Sequence, residues 1–205
     1  MKELKVGYDV YGDNVPVWER GQEGGVTRPI NREALYENVC KVYDTYLNEG
    51  INIWLSHGTM LGVYRDGNFI EWDDDADLGA KTSERVNLKA AEIKIAELGF
   101  YIPPQAEKGQ TINKNLSPWY DSVYIKDGEK IEIWWYDKVG DFYIYDFPRC
   151  GNVLKHPAKY YDTLDKYDFK GKEFNIPSHI EDWLVMMYGY GWNKPDKNKK
   201  YNHQS

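Results

Sequence analysis

Cysteine is scarce in this sequence, which contains only Cys40 and Cys150. Two thiols cannot form a structural zinc site without histidines at close spacing, and no such histidines accompany them. Cys40 falls on the apolar face of a predicted helix, so we expect its thiol to be buried and reduced.

Long apolar runs are absent as well. No apolar stretch follows a basic start, as a signal peptide requires, and no segment approaches the length that spans a membrane. We therefore expect a cytoplasmic protein without a transmembrane segment.

Positive charge is in the minority, with 26 Lys and Arg against 33 Asp and Glu and a formal net charge of -7. An acidic protein gains little free energy from counterion release, so binding of nucleic acid is disfavoured. Metal ions can still hold an anionic substrate in an acidic site. The basic C-terminal residues 196–205 are interpreted as a polar, solvated tail.

The chain does have enough apolar material for a folded domain, since 41% of its residues are hydrophobic and 16% are aromatic. We predict a Gly-rich arm over residues 1–30 and one domain over residues 31–195. Apolar residues at helical spacing predict helices from the N-cap Asn31 to Gly50 and from Ser83 to Leu98.

Shorter elements complete the prediction. A capping box at residues 178–181 predicts a last helix that runs through Tyr188. Turn signals and apolar runs predict a short helix at 59–64 and strands at 51–55, 75–80, 119–126, 130–136, 142–146 and, as a hairpin, 167–176. This order indicates an α/β (α+β) domain with a mixed β-sheet flanked by helices.

The segment Trp72-Asp73-Asp74-Asp75-Ala76-Asp77 carries three aspartates at a spacing of two. On an extended backbone such side chains share a face, about 6.6 Å apart, whereas Asp74 would point away. Crowded carboxylates repel one another, and one or two divalent cations neutralise them. Carboxylate oxygens suit both Mg²⁺ and Mn²⁺. The spacing therefore predicts a Mg²⁺ or Mn²⁺ site on Asp73, Asp75 and Asp77.

Two other interpretations of this segment stay open. It could be a solvated acidic turn, although apolar residues flank it on both sides. It also matches the first, third, fifth and twelfth positions of an EF-hand calcium loop, the last being Glu84. However, Leu78 stands where that loop needs Gly, and Gly67-Asn68 breaks any entering helix.

Glu132 is a further candidate carboxylate, on the strongly apolar strand 131–135. It shares one face of the strand with Trp134. A carboxylate on so apolar a strand lies either on an exposed face or in a site. Many two-metal sites need a fourth carboxylate, which Glu132 would provide.

Two blocks of the sequence resemble the LicD/fukutin family. Gly58-Thr59-Met60-Leu61-Gly62-Val63-Tyr64-Arg65 and Phe69-Ile70-Glu71-Trp72-Asp73-Asp74-Asp75-Ala76-Asp77 are similar to its signature, roughly GTLLGxxR and FIPWDDDxD. The segment 169–177, with Tyr188-Gly189 and Trp192, is similar to its FxGxxxxxP and YGxxW patterns. Glu71 departs from the usual Pro, and Glu132 from the usual Asp.

The resemblance implies a nucleotidyltransferase-like catalytic domain over residues 31–195. It also implies transfer of a phospho-alcohol, such as phosphocholine or ribitol phosphate, from a CDP-linked donor to a glycan hydroxyl. By position, Asp73, Asp75 and Asp77 would be metal ligands, and Asp75, Asp77 and Glu132 catalytic. Glu132 would hold a metal or accept the proton of the hydroxyl.

Gly58, Thr59 and Arg65 are the expected donor-binding residues. Backbone N–H groups near Gly58 can approach a phosphate closely, and the planar fork of Arg65 suits a phosphate oxygen. Arg65 could instead form an ion pair with Asp66 or Glu71.

Nearby residues are expected to be structural. We expect His57 to make a structural hydrogen bond, Trp72 to pack under the metal-binding strand, and Trp134 to pack in the core.

Two rival functions share these features. A true nucleotidyltransferase would use a nucleoside triphosphate and release pyrophosphate, whereas a noncatalytic binding module would keep only the fold.

Overall fold

The computed structural model describes residues 30–102, 122–147 and 152–197 of the chain. Of the predicted arm, only Ile30 belongs to the described residues. Of the predicted tail, only the first two residues belong to them. Cys150 and the first three residues predicted for the strand 119–126 also lie outside them.

The described residues contain helices that alternate with strands. The α-helices are α1 (Arg32–Asn48), α2 (His57–Asp66), α3 (Leu88–Glu97) and α4 (Ile180–Tyr188). The strands are β1 (Ile53–Leu55), β2 (Ala76–Lys81), β3 (Ser122–Lys126), β4 (Glu129–Val139), β5 (Phe142–Phe147), β6 (Asn152–Pro157), β7 (Leu164–Phe169) and β8 (Lys172–Pro177).

Helix α1 follows the pattern that predicted it. The side chain of Asn31 accepts a hydrogen bond from the backbone N–H of Ala34 at 3.2 Å, which caps the first turn. Leu35, Val39 and Val42 are fully buried on one face. Gly50 follows the helix with φ of 75°, a conformation that glycine adopts without strain.

The main sheet is mixed, as the sequence predicts. Its strands run in the order β1-β2-β4-β5-β6, and β3 also pairs with β4. Only the β2–β4 pair is parallel among the described strands. Strands β7 and β8 form a separate hairpin. A parallel pair of buried strands requires cover from helices, and α1 contacts both β1 and β4.

The hairpin β7–β8 is fixed to the main sheet by Asn175. Its side-chain amide donates to the carbonyl of Ile53 at 2.9 Å, and its backbone N–H donates to the Tyr43 hydroxyl at 2.6 Å. All three groups are buried, so these bonds join β8, β1 and α1 across the core.

The predicted helix 83–98 is wrong in its first part. Residues Thr82–Asn87 form a 3₁₀ helix, and the α-helix starts only at Leu88. The Glu84 carboxylate accepts hydrogen bonds from the backbone and side chain of Asn52, at 2.5 and 2.9 Å. This long-range contact holds the segment beside β1 and overrides its helical propensity.

Two other expectations also differ from the structure. Ser178 does not cap α4, because its hydroxyl donates to the carbonyl of Thr163 at 2.8 Å, and His179 takes the N-cap position without a side-chain bond. Strand β6 was not predicted, and its pairing with β5 is what extends it. In the described part of the chain, no helix is both long and apolar enough to cross a membrane.

Candidate active site

The site lies where α2 meets the start of β2. Helix α2 begins directly after β1, and Gly58 is its second residue. A Cβ atom at Gly58 would lie 2.5 Å from Oδ2 of Asp73 and 3.8 Å from Oδ2 of Asp77. The first turn of α2 therefore approaches the Asp73 carboxylate more closely than a residue with a Cβ atom allows, and it lies in van der Waals range of Asp77.

Thr59 fixes the start of β2. Its buried hydroxyl accepts a hydrogen bond from the backbone N–H of Asp77 at 2.7 Å. The N-terminus of β2 is thereby held against α2, with Asp77 as the second residue of the strand. Donor binding by Gly58 and Thr59 stays a prediction.

The aspartates do not lie on one extended segment, so that premise of the sequence analysis is wrong. Only Asp77 belongs to β2, whereas Asp73, Asp74 and Asp75 lie in the irregular turn before it. The backbone N–H of Asp73 donates to the carbonyl of Ile70 at 3.2 Å, which starts this turn. Alternation along one strand therefore does not explain how Asp73 and Asp75 approach each other.

Within the described residues, two groups of carboxylates have oxygens that lie within 4.8 Å of one another. The turn group consists of Asp73, Asp74 and Asp75, and the strand group of Asp75, Asp77 and Glu132. Asp75 belongs to both groups. The expectation that Asp74 points away is wrong, because one of its carboxylate oxygens lies within 4.8 Å of oxygens of Asp73 and Asp75.

Glu132 joins the site through the strand register. The parallel pairing of β2 and β4 places Asp77 directly beside Glu132. Trp134, on the same face of β4, donates from Nε1 to Oδ1 of Asp77 at 2.9 Å. The sequence pattern predicted this shared face, and both carboxylates are buried.

Lys130 lies in this cluster although the sequence did not predict it as a site residue. Its ammonium lies 2.5 Å from Oδ2 of Asp75 and 2.6 Å from Oε1 of Glu132. Its side chain is only 8% exposed. The available signal was its position in β4, two residues before Glu132 and on the same face.

Burial and neighbouring negative charges raise the pKa of two carboxyl groups of the site. Burial, and then the charges of Asp75 and Asp74, raise the pKa of Asp73 to about 8. Burial also raises the pKa of Asp77 well above its usual range, with further contributions from Asp75, Glu132 and Asp73. Burial opposes the charge of Lys130, but the neighbouring carboxylates outweigh it and raise its pKa.

This donor set fits a hard divalent cation. It consists of carboxylate oxygens, the ligands that Mg²⁺ and Mn²⁺ prefer. Burial and the neighbouring carboxylates disfavour the charged forms of Asp73 and Asp77, and a bound dication would favour them.

Structural roles were expected for three residues near the site, and the structure shows where each of them lies. His57 hydrogen-bonds through Nε2 to the Tyr145 hydroxyl at 3.0 Å, as expected. Trp134 is buried in the core cluster. Trp72 does not pack under β2, because it lies in the turn and is 42% exposed.

Arg65 is engaged by protein groups. Its Nε and Nη2 atoms donate to the two carboxylate oxygens of Asp66 at 2.8 and 2.7 Å. Nη1 donates to the carbonyl of Trp192 at 3.4 Å. The ion pair with Asp66 that the sequence left open is therefore present, and donor binding by Arg65 stays a prediction.

A short helix follows the first strand, and the acidic turn after it meets a carboxylate of the neighbouring parallel strand. This arrangement is typical of a nucleotidyltransferase-like domain. The sequence matches the family described as LicD/FKTN/FKRP, nucleotidyltransferase domain, over residues 50–179, which is more than half of the chain. The chain belongs to this family, and the resemblance found in its sequence is confirmed.

Several known proteins are similar to the chain. Mouse ribitol 5-phosphate transferase FKRP is 25% identical over 180 residues, which are 82% of this chain and 34% of that protein. Human FKRP is 24% identical over 176 residues, 80% of this chain and 33% of that protein. The chain thus spans about a third of these relatives. A solution structure of the antibiotic-resistance factor ANT(2'')-Ia matches with a TM-score of 0.48 and 14% identity, covering 82% of this chain and 78% of that one.

Proposed function

We propose that this domain transfers a phospho-alcohol, such as phosphocholine or ribitol phosphate, from a CDP-linked donor to a glycan hydroxyl. The observation that carries the proposal is the convergence of Asp75, Asp77 and Glu132 beside the first turn of α2. Membership of the family, and similarity to two ribitol 5-phosphate transferases, support the class of group that is transferred.

Asp73, Asp75, Asp77 and Glu132 are the proposed ligands of Mg²⁺ or Mn²⁺. Such an ion supplies positive charge that stabilises the donor diphosphate and the departing CMP. The protein keeps two of these ligands in place: Thr59 and Trp134 hold the backbone and side chain of Asp77, and the strand register holds Glu132 beside it.

The proposed transfer exchanges one phosphorus–oxygen bond for another. The glycan hydroxyl oxygen bonds to the phosphorus that carries the alcohol, and the bond from that phosphorus to the CMP oxygen breaks. The hydroxyl proton passes to a carboxylate, for which Glu132 is the candidate. The first turn of α2 presents backbone N–H groups and the positive end of its dipole to the donor phosphates.

Product analysis tests the proposal against its nearest rival. The purified chain is incubated with Mg²⁺ or Mn²⁺, oligosaccharide acceptors, and either CDP-choline, CDP-ribitol or nucleoside triphosphates. We expect CMP to appear with a CDP-alcohol. Pyrophosphate released from a nucleoside triphosphate would instead identify a nucleotidyltransferase, and the proposal would fail.

Asp77→Asn is expected to lower turnover by at least about 100-fold, because it removes one of the charges that hold the metal. Glu71→Gln is the matched control, since Glu71 is an exposed carboxylate of the same segment outside both groups. Metal-dependent thermal stabilisation, measured in parallel, reports metal binding separately from turnover. A wild-type chain that neither binds metal nor turns over would be a noncatalytic module.

A further inference from the structure

Lys130 places a fixed positive charge inside the carboxylate cluster. Its ammonium contacts Oδ2 of Asp75 and Oε1 of Glu132, and all three side chains are nearly buried, with exposures of 8%, 12% and 10%. Lysine rarely becomes so buried unless it is paired. Lys130 is therefore a buried, ion-paired member of the cluster.

The ammonium of Lys130 contacts Asp75 and Glu132. It bonds to two of the three members of the strand group, whereas Oδ2 of Asp73 and Oδ2 of Asp77 both face Gly58. Oδ1 of Asp77 accepts the Trp134 N–H. The cluster thus has an ammonium side and a side that faces the first turn of α2.

A second dication would compete with this ammonium. An ion on Asp75 and Glu132 would need their oxygens at about 2.0–2.6 Å. One oxygen of each already accepts Lys130, and like charges only a few ångströms apart repel strongly in a buried site. The lysine supplies positive charge there without a second metal.

We propose that the active site binds one divalent cation, and that the Lys130 ammonium takes the place of a second. This inference rests on the proposed function, because it assumes that the carboxylates bind a metal. It assigns Lys130 a role in setting the number and affinity of the metal ions.

The number of Mn²⁺ ions bound per chain tests the inference without any activity assay. Equilibrium dialysis of the purified chain, with free Mn²⁺ counted by electron paramagnetic resonance, should give one ion for wild type and for Lys130→Arg. Lys130→Met removes the charge and keeps much of the aliphatic volume. It should bind two ions, or bind one with at least tenfold higher affinity.

Lys138→Met is the matched control, because Lys138 lies on the same strand but pairs with Asp162 outside the cluster. It should behave as wild type. Lys130→Gln provides a second neutral variant, and far-ultraviolet circular dichroism selects whichever neutral variant is folded.

The outcomes separate this inference from the proposed function. Two Mn²⁺ ions on the wild-type chain, or an unchanged count and affinity in the folded neutral variant, overturn the role of Lys130 while leaving phospho-alcohol transfer intact. A wild-type chain that binds no Mn²⁺ overturns the metal site and this inference together.

Discussion

Gly58 lies against a carboxylate of the candidate site, so its replacement should affect that site more than the stability of the fold. In a helix, Gly→Ala normally stabilises by about 0.5–1 kcal/mol. Here the added methyl group would lie 2.5 Å from Oδ2 of Asp73, so that carboxylate must move. We expect Gly58→Ala to change the free energy of unfolding by less than about 1 kcal/mol but to weaken Mn²⁺ binding about 10–100-fold.

Gly67→Ala is the matched control for this prediction. Gly67 ends the same helix with φ of 64°, and no atom lies within 4 Å of an added Cβ. Its replacement should cost about 1–2 kcal/mol of stability through backbone strain and leave Mn²⁺ affinity unchanged. Chemical denaturation and Mn²⁺ titration measure the two effects. Equal loss of metal affinity in both variants would contradict a specific role for Gly58.

Still at the scale of single residues, the sequence named the carboxylates that the structure brings together, but it did not predict how they meet. The sequence could place Asp77 and Glu132 in one site only through the family resemblance. Strand register, which sets them side by side, depends on contacts between distant segments. Asp73 and Asp75 precede β2, so strand alternation could not predict that their carboxylates converge. Lys130 was not predicted as a site residue because lysine on a strand is usually solvent-exposed, and its contacts with Asp75 and Glu132 depend on the fold.

Among the elements, α2 and the segment after α4 are joined by Arg65. Its guanidinium is bidentate on Asp66 and reaches the carbonyl of Trp192, and its side chain is only 4% exposed. Lysine cannot reproduce the planar fork. We therefore expect Arg65→Lys to lower the free energy of unfolding by about 1 kcal/mol.

The kinetics of this variant decide between the two roles considered for Arg65. A structural arginine predicts a lower melting temperature with an unchanged KM for the CDP-alcohol. A donor-binding arginine predicts a raised KM at temperatures where the variant is fully folded. Asp66→Asn is the informative partner variant, because it weakens the ion pair and leaves the guanidinium in place.

The elements that the sequence predicted well are those that carry their own local signals. Helix α1 has an N-cap, an apolar stripe and a terminal glycine, and the hairpin of β3 and β4 has its Asp127-Gly128 turn. The elements that it missed depend on distant partners. Residues Thr82–Asn87 are held by Asn52, and β6 is extended by β5. Local propensity cannot contain such information.

For the whole molecule, buried tyrosines set the response to alkaline pH. Burial is the main cause of the raised pKa of six of them, which are Tyr43, Tyr46, Tyr124, Tyr143, Tyr145 and Tyr161. The value for Tyr43 and for Tyr143 is about 12. These residues lie in α1, in strands of the main sheet and just before β7, so their titration reports on the entire core.

The sign of the effect follows from proton linkage. Between pH 10 and about 12 the folded chain keeps phenolic protons that the unfolded chain has lost, so stability falls as pH rises through this window. Below pH 10 both states are protonated and these groups contribute no slope. We therefore expect unfolding to accompany the ionisation of the buried tyrosines.

Phenolate absorbance and far-ultraviolet circular dichroism, recorded on the same samples, measure this coupling. Exposed tyrosines such as Tyr190, at 91% exposure, should ionise first while the helical signal is intact. The buried ones should ionise only as that signal is lost, and in denaturant all should ionise together near pH 10. Because six separate positions across the core contribute, replacing one of them by Phe should shift the transition only slightly. A single ionisation step near pH 10 with the helices intact would mean that the core admits hydroxide without unfolding, which dense packing around these rings opposes.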